Sequence, residues 1–337
     1  MNAYYIGLDI HKKSIRYCIK LADGTIWKEE TIAATRDALR AWRSGLPVGC
    51  EVAMEATMFT GWIYDELLPH FGAVKVGNPV LMKAIASGKR KNDSLDARMI
   101  ADLLRCDLLP EVYMAPARTR DLRRVLRYRN LLVHQMVRMK NRGAAFLMEC
   151  GAEYNKRKLY QKKYFEALLS ELREIPESVV GLLQLNRTMV STFHGMEQEL
   201  LGRLERDPEL AARVARLRSI RGVGPVLALT WAVEVGEVSR FRNAKQAISY
   251  CGLCSAERES GGRTQRLPIS KQRNAHLQTI LVEAAKLAPR WNAELALVHA
   301  RALERGPRNR ATLEVARKLV KYLMAVDRSV IQGKAAA

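Results

Sequence analysis

Four carboxylates punctuate the first third of the chain: Asp9, Glu55, Asp93 and Asp96. Asp9 closes the apolar stretch AYYIGLD, and Glu55 follows a second apolar stretch over 47–53. Asp93 and Asp96 stand three residues apart at the start of an apolar-periodic segment, so they share one face of a helix. An acid at the end of a buried strand serves neither pairing nor packing, and ligands in open α/β sheets sit outside strand ends. Hard cations need several oxygen ligands, and phosphoryl-transfer sites hold two of them about 3.5–4 Å apart. The spacing suits a two-metal nuclease site. Helix capping is the plainer reading of the Asp93/Asp96 pair taken alone.

A second candidate lies far downstream. Ser260 stands between Glu257-Arg258-Glu259 and Gly261-Gly262-Arg263. The glycines permit close approach, and Arg263 can balance charge developing on phosphoryl oxygens, so Ser260 can act as a nucleophile on phosphorus. By chemistry alone Ser255 and Ser270 are rivals, and an exposed loop serine needs no function at all. The six histidines do not cluster, and no Ser/His/Asp triad is legible.

Charge favours a polyanionic partner. The 337 residues carry a formal net charge of +21, of which +1 falls in residues 1–115 and +20 in residues 116–337. An excess this uneven fits a phosphate backbone. An anionic membrane fits less well, because no apolar run approaches the roughly 20 residues that a span needs. Arg123, Arg124 and Arg127 belong to a basic run that can face nucleic acid or water. The turn Ile220-Arg221-Gly222-Val223-Gly224-Pro225 can offer free amides at a helix start to a phosphate, or be a plain tight turn. Lys271 adds a cation after the serine loop. The N-terminus lacks a secretory pattern, and six scattered cysteines fit the reduced thiols of a cytoplasm. Cys251-Gly-Leu-Cys254 lacks a second ligand pair for zinc and reads as a packed turn.

These residues need elements to hold them. Residues 3–9, 14–21 and 25–32 read as strands, with Ala22-Asp23-Gly24 as a hairpin turn. Thr35 caps a helix to about Arg43; a strand over 47–53, a helix over 59–68, a strand over 74–76, a helix from Pro79 and a helix over 93–106 follow. Three antiparallel strands before alternating helices and strands give an α/β, ribonuclease-H-like domain over 1–115. From residue 118 the pattern changes to a heptad: Leu122, Val125, Arg129, Leu132, Met136, Met139, Gly143 and Phe146. A second run comprises Val179, Leu182, Asn186, Val190, Phe193, Glu197, Leu200 and Leu204. The two predict an antiparallel coiled-coil arm over 116–208, although an ordinary bundle shares the pattern. Residues 209–330 read as a mostly helical third domain, with 251–271 as a polar loop.

In order, Gly7-Leu-Asp9-Ile-His-Lys12, Met54-Glu55-Ala-Thr57 and Lys91-Asn-Asp93-Ser-Leu-Asp96-Ala-Arg98 resemble the acidic motifs of DEDD transposases. These are encoded by insertion sequences of the IS110 type and are relatives of the Piv/MooV inversion recombinases. Ile220-Arg-Gly-Val-Gly224, Tyr250-Cys-Gly-Leu253, Ser260-Gly-Gly262 and Ile269-Ser-Lys271 resemble the same family's C-terminal transposase domain. The resemblance implies a RuvC-like N-terminal domain, a coiled-coil arm and a helical transposase domain. It implies Mg²⁺, or Mn²⁺ in its place, on Asp9, Glu55, Asp93 and Asp96. It implies a covalent phosphoserine linkage at Ser260. It also implies dimers pairing into tetramers on donor and target DNA, guided by a structured RNA whose base pairing chooses the sequence. The chain departs from the family where Cys254-Ser255 replace a common proline and Gln272-Arg273 a common glycine.

The sequence thus predicts an RNA-guided DNA recombinase of an insertion sequence. Two rivals fit parts of it. A RuvC-like junction nuclease would use water in place of Ser260. A non-catalytic nucleic-acid-binding protein would ignore Mg²⁺.

Overall fold

The computed structural model describes residues 4–85, 93–171, 175–260, 263–270 and 272–335. Side chains at 93–95, 256–258, 260, 263–267 and 330–335 lie outside that description. The chain divides into two compact units, Met1–Ala117 and Arg118–Ala337.

The first unit is built on a five-stranded sheet: β1 (Tyr4–Ile10), β2 (Ser14–Lys20), β3 (Ile26–Ala33), β4 (Cys50–Glu55) and β5 (Ala73–Gly77). Strand order is β3-β2-β1-β4-β5; β1 pairs antiparallel with β2 and parallel with β4, and β4 pairs parallel with β5. The parallel neighbours need crossovers, which α1 (Arg36–Ser44) and α2 (Thr60–Leu67) supply. Thr35 caps α1, its Oγ1 accepting from the Ala38 amide at 3.3 Å. Two further helices follow, α3 (Pro79–Ile85) and α4 (Asp93–Arg105).

Alternation decides which face each helix covers. Ile6, Leu8 and Ile10 of β1 point to one side and share a core with Leu39 of α1 and with Ile63 and Leu67 of α2. Each such buried side chain contributes about 1.5–3 kcal/mol relative to exposure. Tyr5, Gly7 and Asp9 have the other parity and face the side where α4 lies. Ala53 of β4, which pairs with Gly7, is buried there with Ile100, Leu103 and Leu104 of α4. A Cβ on Gly7 would stand 2.2 Å from the Ala97 carbonyl oxygen and 2.4 Å from the Ala101 amide nitrogen. Only glycine lets this helix lie so close on β1.

The second unit is mostly helical: α5 (Ala117–Glu149), α6 (Lys162–Glu171), α7 (Glu177–Glu205), α8 (Pro208–Leu217), α9 (Pro225–Val235), α10 (Ala244–Tyr250), α11 (Ala275–Leu287), α12 (Ala293–Glu304) and α13 (Arg308–Ala335). Its core gathers around α9, with Trp231 fully buried beside Leu277, Leu319 and Leu323. Helices α5 and α7 belong to this unit rather than to a third one. They run antiparallel, since Arg129 meets Glu197 while Met139, further along α5, meets Asn186, further back on α7. The polar interruptions of the two heptad runs therefore face one another. Gly143 leaves room for Tyr160, whose hydroxyl donates to Asn186 Oδ1 at 2.7 Å.

One expectation needs correcting. The stretch 251–271 is not simply a loop: β6 (Ser255–Ser260) and β7 (Arg263–Ile269) pair there as an antiparallel hairpin. Its strands, SAERES and RTQRLPI, have almost no apolar alternation, so the usual strand signal is missing. Among the described residues, no helix is long and apolar enough to cross a membrane.

Candidate active site

Asp9 is the penultimate residue of β1 and Glu55 the last of β4, and the two strands are adjacent and parallel. Asp9 lies two residues beyond Gly7, and Glu55 two beyond Ala53, so both project on the face that α4 covers. Helix α4 runs opposite to β1. Arg105 donates to the Ala22 carbonyl at 3.2 Å, Lys20, across from Tyr5, donates to Asp102 at 2.5 Å, and Ala97 lies over Gly7. At about 1.5 Å per helical residue and 3.3 Å per strand residue, Asp93 lies as far beyond Ala97 as Asp9 lies beyond Gly7. The start of α4 thus reaches the sheet end where Asp9 and Glu55 stand. Asp96 is half-buried on the first turn, and the side chain of Asp93 lies outside the described residues.

Asp9 is largely covered, at 15% side-chain exposure, and its Oδ2 stands 3.0 Å from His11 Nε2. Behind it, Glu29 Oε1 accepts from Arg16 and Oε2 from Arg98, each at 2.6 Å, which ties the middle of α4 to the sheet. Burial alone would raise the Glu29 carboxyl; these two arginines outweigh it and hold it below its ordinary range. A frame of ion pairs and the Gly7 contact therefore fixes the helix that carries two of the acids. Among the described residues, which leave out the side chain of Asp93, no three His, Cys, Asp or Glu side chains enclose a metal site. Asp9 and Glu55 offer carboxylate oxygen on the same face of one sheet end, a donor type that suits a hard divalent cation.

Ser260 is the last residue of β6, paired with Arg263 across the hairpin end; its side chain, Gly261, Gly262, the side chain of Arg263 and Lys271 lie outside the described residues. Both units described above thus hold candidate residues, the acids in the first and the serine in the second. Arg221 is exposed, Gly222 takes a φ of +95° against Ala288, and Gly224 is the N-cap of α9 with open space before it.

The three arginines of α5 divide. Arg124 is outward, at 75% side-chain exposure, with a 2.7 Å hydrogen bond to Asp121. Arg123 is mostly covered, at 15% side-chain exposure, whereas Arg127 keeps 49% of its side chain exposed; both pair with the protein's own groups. Arg123 donates to the carbonyls of Val233 and Glu234 at 3.0 and 2.9 Å. Arg127 donates through Nε and Nη2 to the two carboxylate oxygens of Glu234, both at 2.8 Å. Glu234 is fully buried on α9 and also accepts from Asn274 at 2.8 Å. Burial would raise its carboxyl; Arg127 and Asn274 outweigh that and hold it low. Sequence reasoning missed this group, although a lone acid in the apolar run VLALTWAVEV was a usable signal.

Comparison with known proteins gives the class. Residues 6–151 match the DEDD transposase family of the IS110 type, and residues 214–300 match the transposase family IS116/IS110/IS902. The two matches cover the acid-bearing sheet and the serine-bearing hairpin. The chain is 25% identical over 334 residues to the "Probable family 20 transposase" of Pseudomonas aeruginosa, spanning 97% of each. It is 29% identical over 209 residues to "Putative transposase y4qE" of Sinorhizobium fredii, covering 61% of this chain and 50% of that protein. It is 25% identical over 292 residues to the transposase for insertion sequence element IS1111A of Coxiella burnetii, covering 83% and 76%. Together the matches support a transposase of the IS110/IS116 family with a DEDD domain, and the α/β sheet followed by helices is consistent with a RuvC-like enzyme of that kind.

Proposed function

We propose that this protein is an RNA-guided DNA recombinase that moves its insertion sequence through a serine-linked intermediate. It would belong with the Piv/MooV type of recombinase. The observation that carries the reading is the meeting of Asp9, Glu55 and the start of α4 on one face of one sheet end. Asp9, Glu55, Asp93 and Asp96 would hold divalent ions, Mg²⁺ by preference and Mn²⁺ as a substitute. Bound there, the ions supply charge stabilisation to the transferring phosphoryl group.

The chain's own groups do the rest. Ser260 Oγ bonds to phosphorus as the bond from phosphorus to the leaving deoxyribose oxygen breaks. The serine proton departs, and the leaving oxygen takes one up. Attack by the hydroxyl of an incoming strand reverses the step, rejoins DNA and frees the serine, so bond energy is conserved. Arg263, Lys271 and the Arg221–Gly224 turn hold phosphates, and Arg124 adds an outward cation on α5. A structured guide RNA pairs with donor and target DNA. The α5–α7 arm joins dimers, which pair into a tetramer in which one subunit's acids serve another's serine.

Labelled DNA carrying the joined ends of the element tests this. Ser260→Ala should form no covalent protein–DNA adduct, and Asp9→Ala should neither cut nor join. A Ser260→Ala protein that still cuts would instead identify a water-using junction nuclease. Sequencing nucleic acid that copurifies with the protein tests the guide: one enriched structured RNA is expected, and a random mixture would remove RNA guidance.

A further inference from the structure

Helix α10 ends at Tyr250 and α11 begins after Asn274, so these two residues bracket the segment that carries the β6–β7 hairpin. They are tied to each other and to Glu234. The Asn274 amide donates to the Tyr250 carbonyl at 3.0 Å. The two hydrogens of Asn274 Nδ2 go to Glu234 Oε2 at 2.8 Å and to the Tyr250 hydroxyl at 3.2 Å. That hydroxyl donates to the Glu234 backbone carbonyl at 3.1 Å. Arg127 fills the remaining carboxylate positions. Just inside the bracket, Gln278 donates to the Gly252 carbonyl at 2.6 Å and Arg317 to the Leu253 carbonyl at 2.8 Å. Gly252 takes a φ of +69°, and the Ser270 amide closes the hairpin base on the Cys254 carbonyl at 3.0 Å.

Burying an ion pair rarely stabilises more than well-packed apolar groups would, so a saturated buried network is better understood as fixing one geometry. Here that geometry is the root of a lever. Six strand residues from Ser255 to Ser260 reach about 20 Å. A tilt of a few degrees at the root moves the tip by about 1 Å, and a misplacement of that size can cost about 10²-fold in rate.

We infer that Glu234, Arg127, Asn274 and Tyr250 are positioning residues that aim the Ser260 hairpin at its substrate. This rests on Ser260 being the nucleophile. Glu234 touches no reacting atom; it acts through Asn274 and Tyr250. Tyr250→Phe removes one hydroxyl and leaves the core intact, while Glu234→Gln weakens the pair with Arg127.

Two readouts on the full-length protein test it. Hydrogen exchange of the amides in 255–260 and 263–269 should quicken about tenfold in both variants, with α13 amides unchanged. Adduct formation in single-turnover assays with the joined-end DNA should fall about tenfold with DNA affinity kept. Unaltered hairpin exchange, an undiminished adduct rate, or exchange that rises equally in α13 would each overturn the inference. If Glu234→Gln fails to fold, Tyr250→Phe decides alone. Ser260→Ala runs beside them: adducts that persist there remove the nucleophile reading, whereas the exchange result judges the clamp by itself.

Discussion

The molecule treats acids in two opposite ways. In the first unit, Asp9, Glu55 and Asp96 are carried to one end of a sheet, on the face under α4. In the second, Glu234 is fully buried and its oxygens are taken by Arg127 and Asn274. The first arrangement gathers carboxylates where strands end, which suits the divalent ions proposed above. The second cancels negative charge with the chain's own donors and leaves nothing for a ligand. A carboxylate's neighbours, rather than its type, separate a centre for chemistry from a brace.

The sharpest way to break this contrast is to remove one acid from each place. Asp9→Ala should lower strand cleavage at least about 10³-fold, which corresponds to several kcal/mol of lost transition-state stabilisation, while melting stays near wild type. Glu234→Ala should cost stability instead and lower cleavage far less, about tenfold, through the hairpin it positions. Losing the buried carboxylate leaves Asn274 and the half-exposed Arg127 without their acceptor and costs about 1–3 kcal/mol in denaturant unfolding. Should the two variants behave alike in both assays, the division into centre and brace would fail.

Gly7→Ala probes the frame under the acids. The added Cβ meets backbone of α4 rather than a yielding side chain, so overpacking of about 1–3 kcal/mol is expected, and cleavage should fall because Asp93 and Asp96 move with the helix. Acid titration sharpens the brace. The Glu234 carboxyl is held below its ordinary value of 4.5, so its contribution is whole above about pH 4.5 and fades as pH falls through the lowered value. Glu234→Gln should therefore flatten that part of the stability–pH curve, measured by denaturant midpoints between pH 7 and pH 3. The smallest effect belongs to Arg124. If it contacts phosphate, Arg124→Ala weakens DNA binding uniformly and reduces the salt slope by about one, whereas Arg123→Ala reduces stability instead.

Much of the first unit was legible because its signals are local. Apolar stretches ending in acids, the turn at Asp23-Gly24 and the cap at Thr35 all predict elements within three residues of those observed. The heptad runs were legible too, down to Arg129, Gly143, Asn186 and Glu197 as interruptions. What the sequence could not tell is that these interruptions meet in pairs, because partnership between distant positions leaves no periodic trace. The β6–β7 hairpin escaped for a different reason. Strands made mostly of polar and charged residues, SAERES and RTQRLPI, carry almost no apolar alternation. Arg123 and Arg127 teach a related point, since a run of arginines is visible in sequence but the partner each one takes is not.

In the proposed reaction the acids and Ser260 are two parts of one strand exchange. The most direct measurement traps the wild-type protein on joined-end DNA and identifies the linked residue by mass spectrometry of the nuclease-trimmed adduct. The expected result is a phosphodiester on Ser260, present with Mg²⁺ and absent from Asp9→Ala. A linkage on Ser255 or Ser270, or cut DNA with no linkage at all, would contradict it.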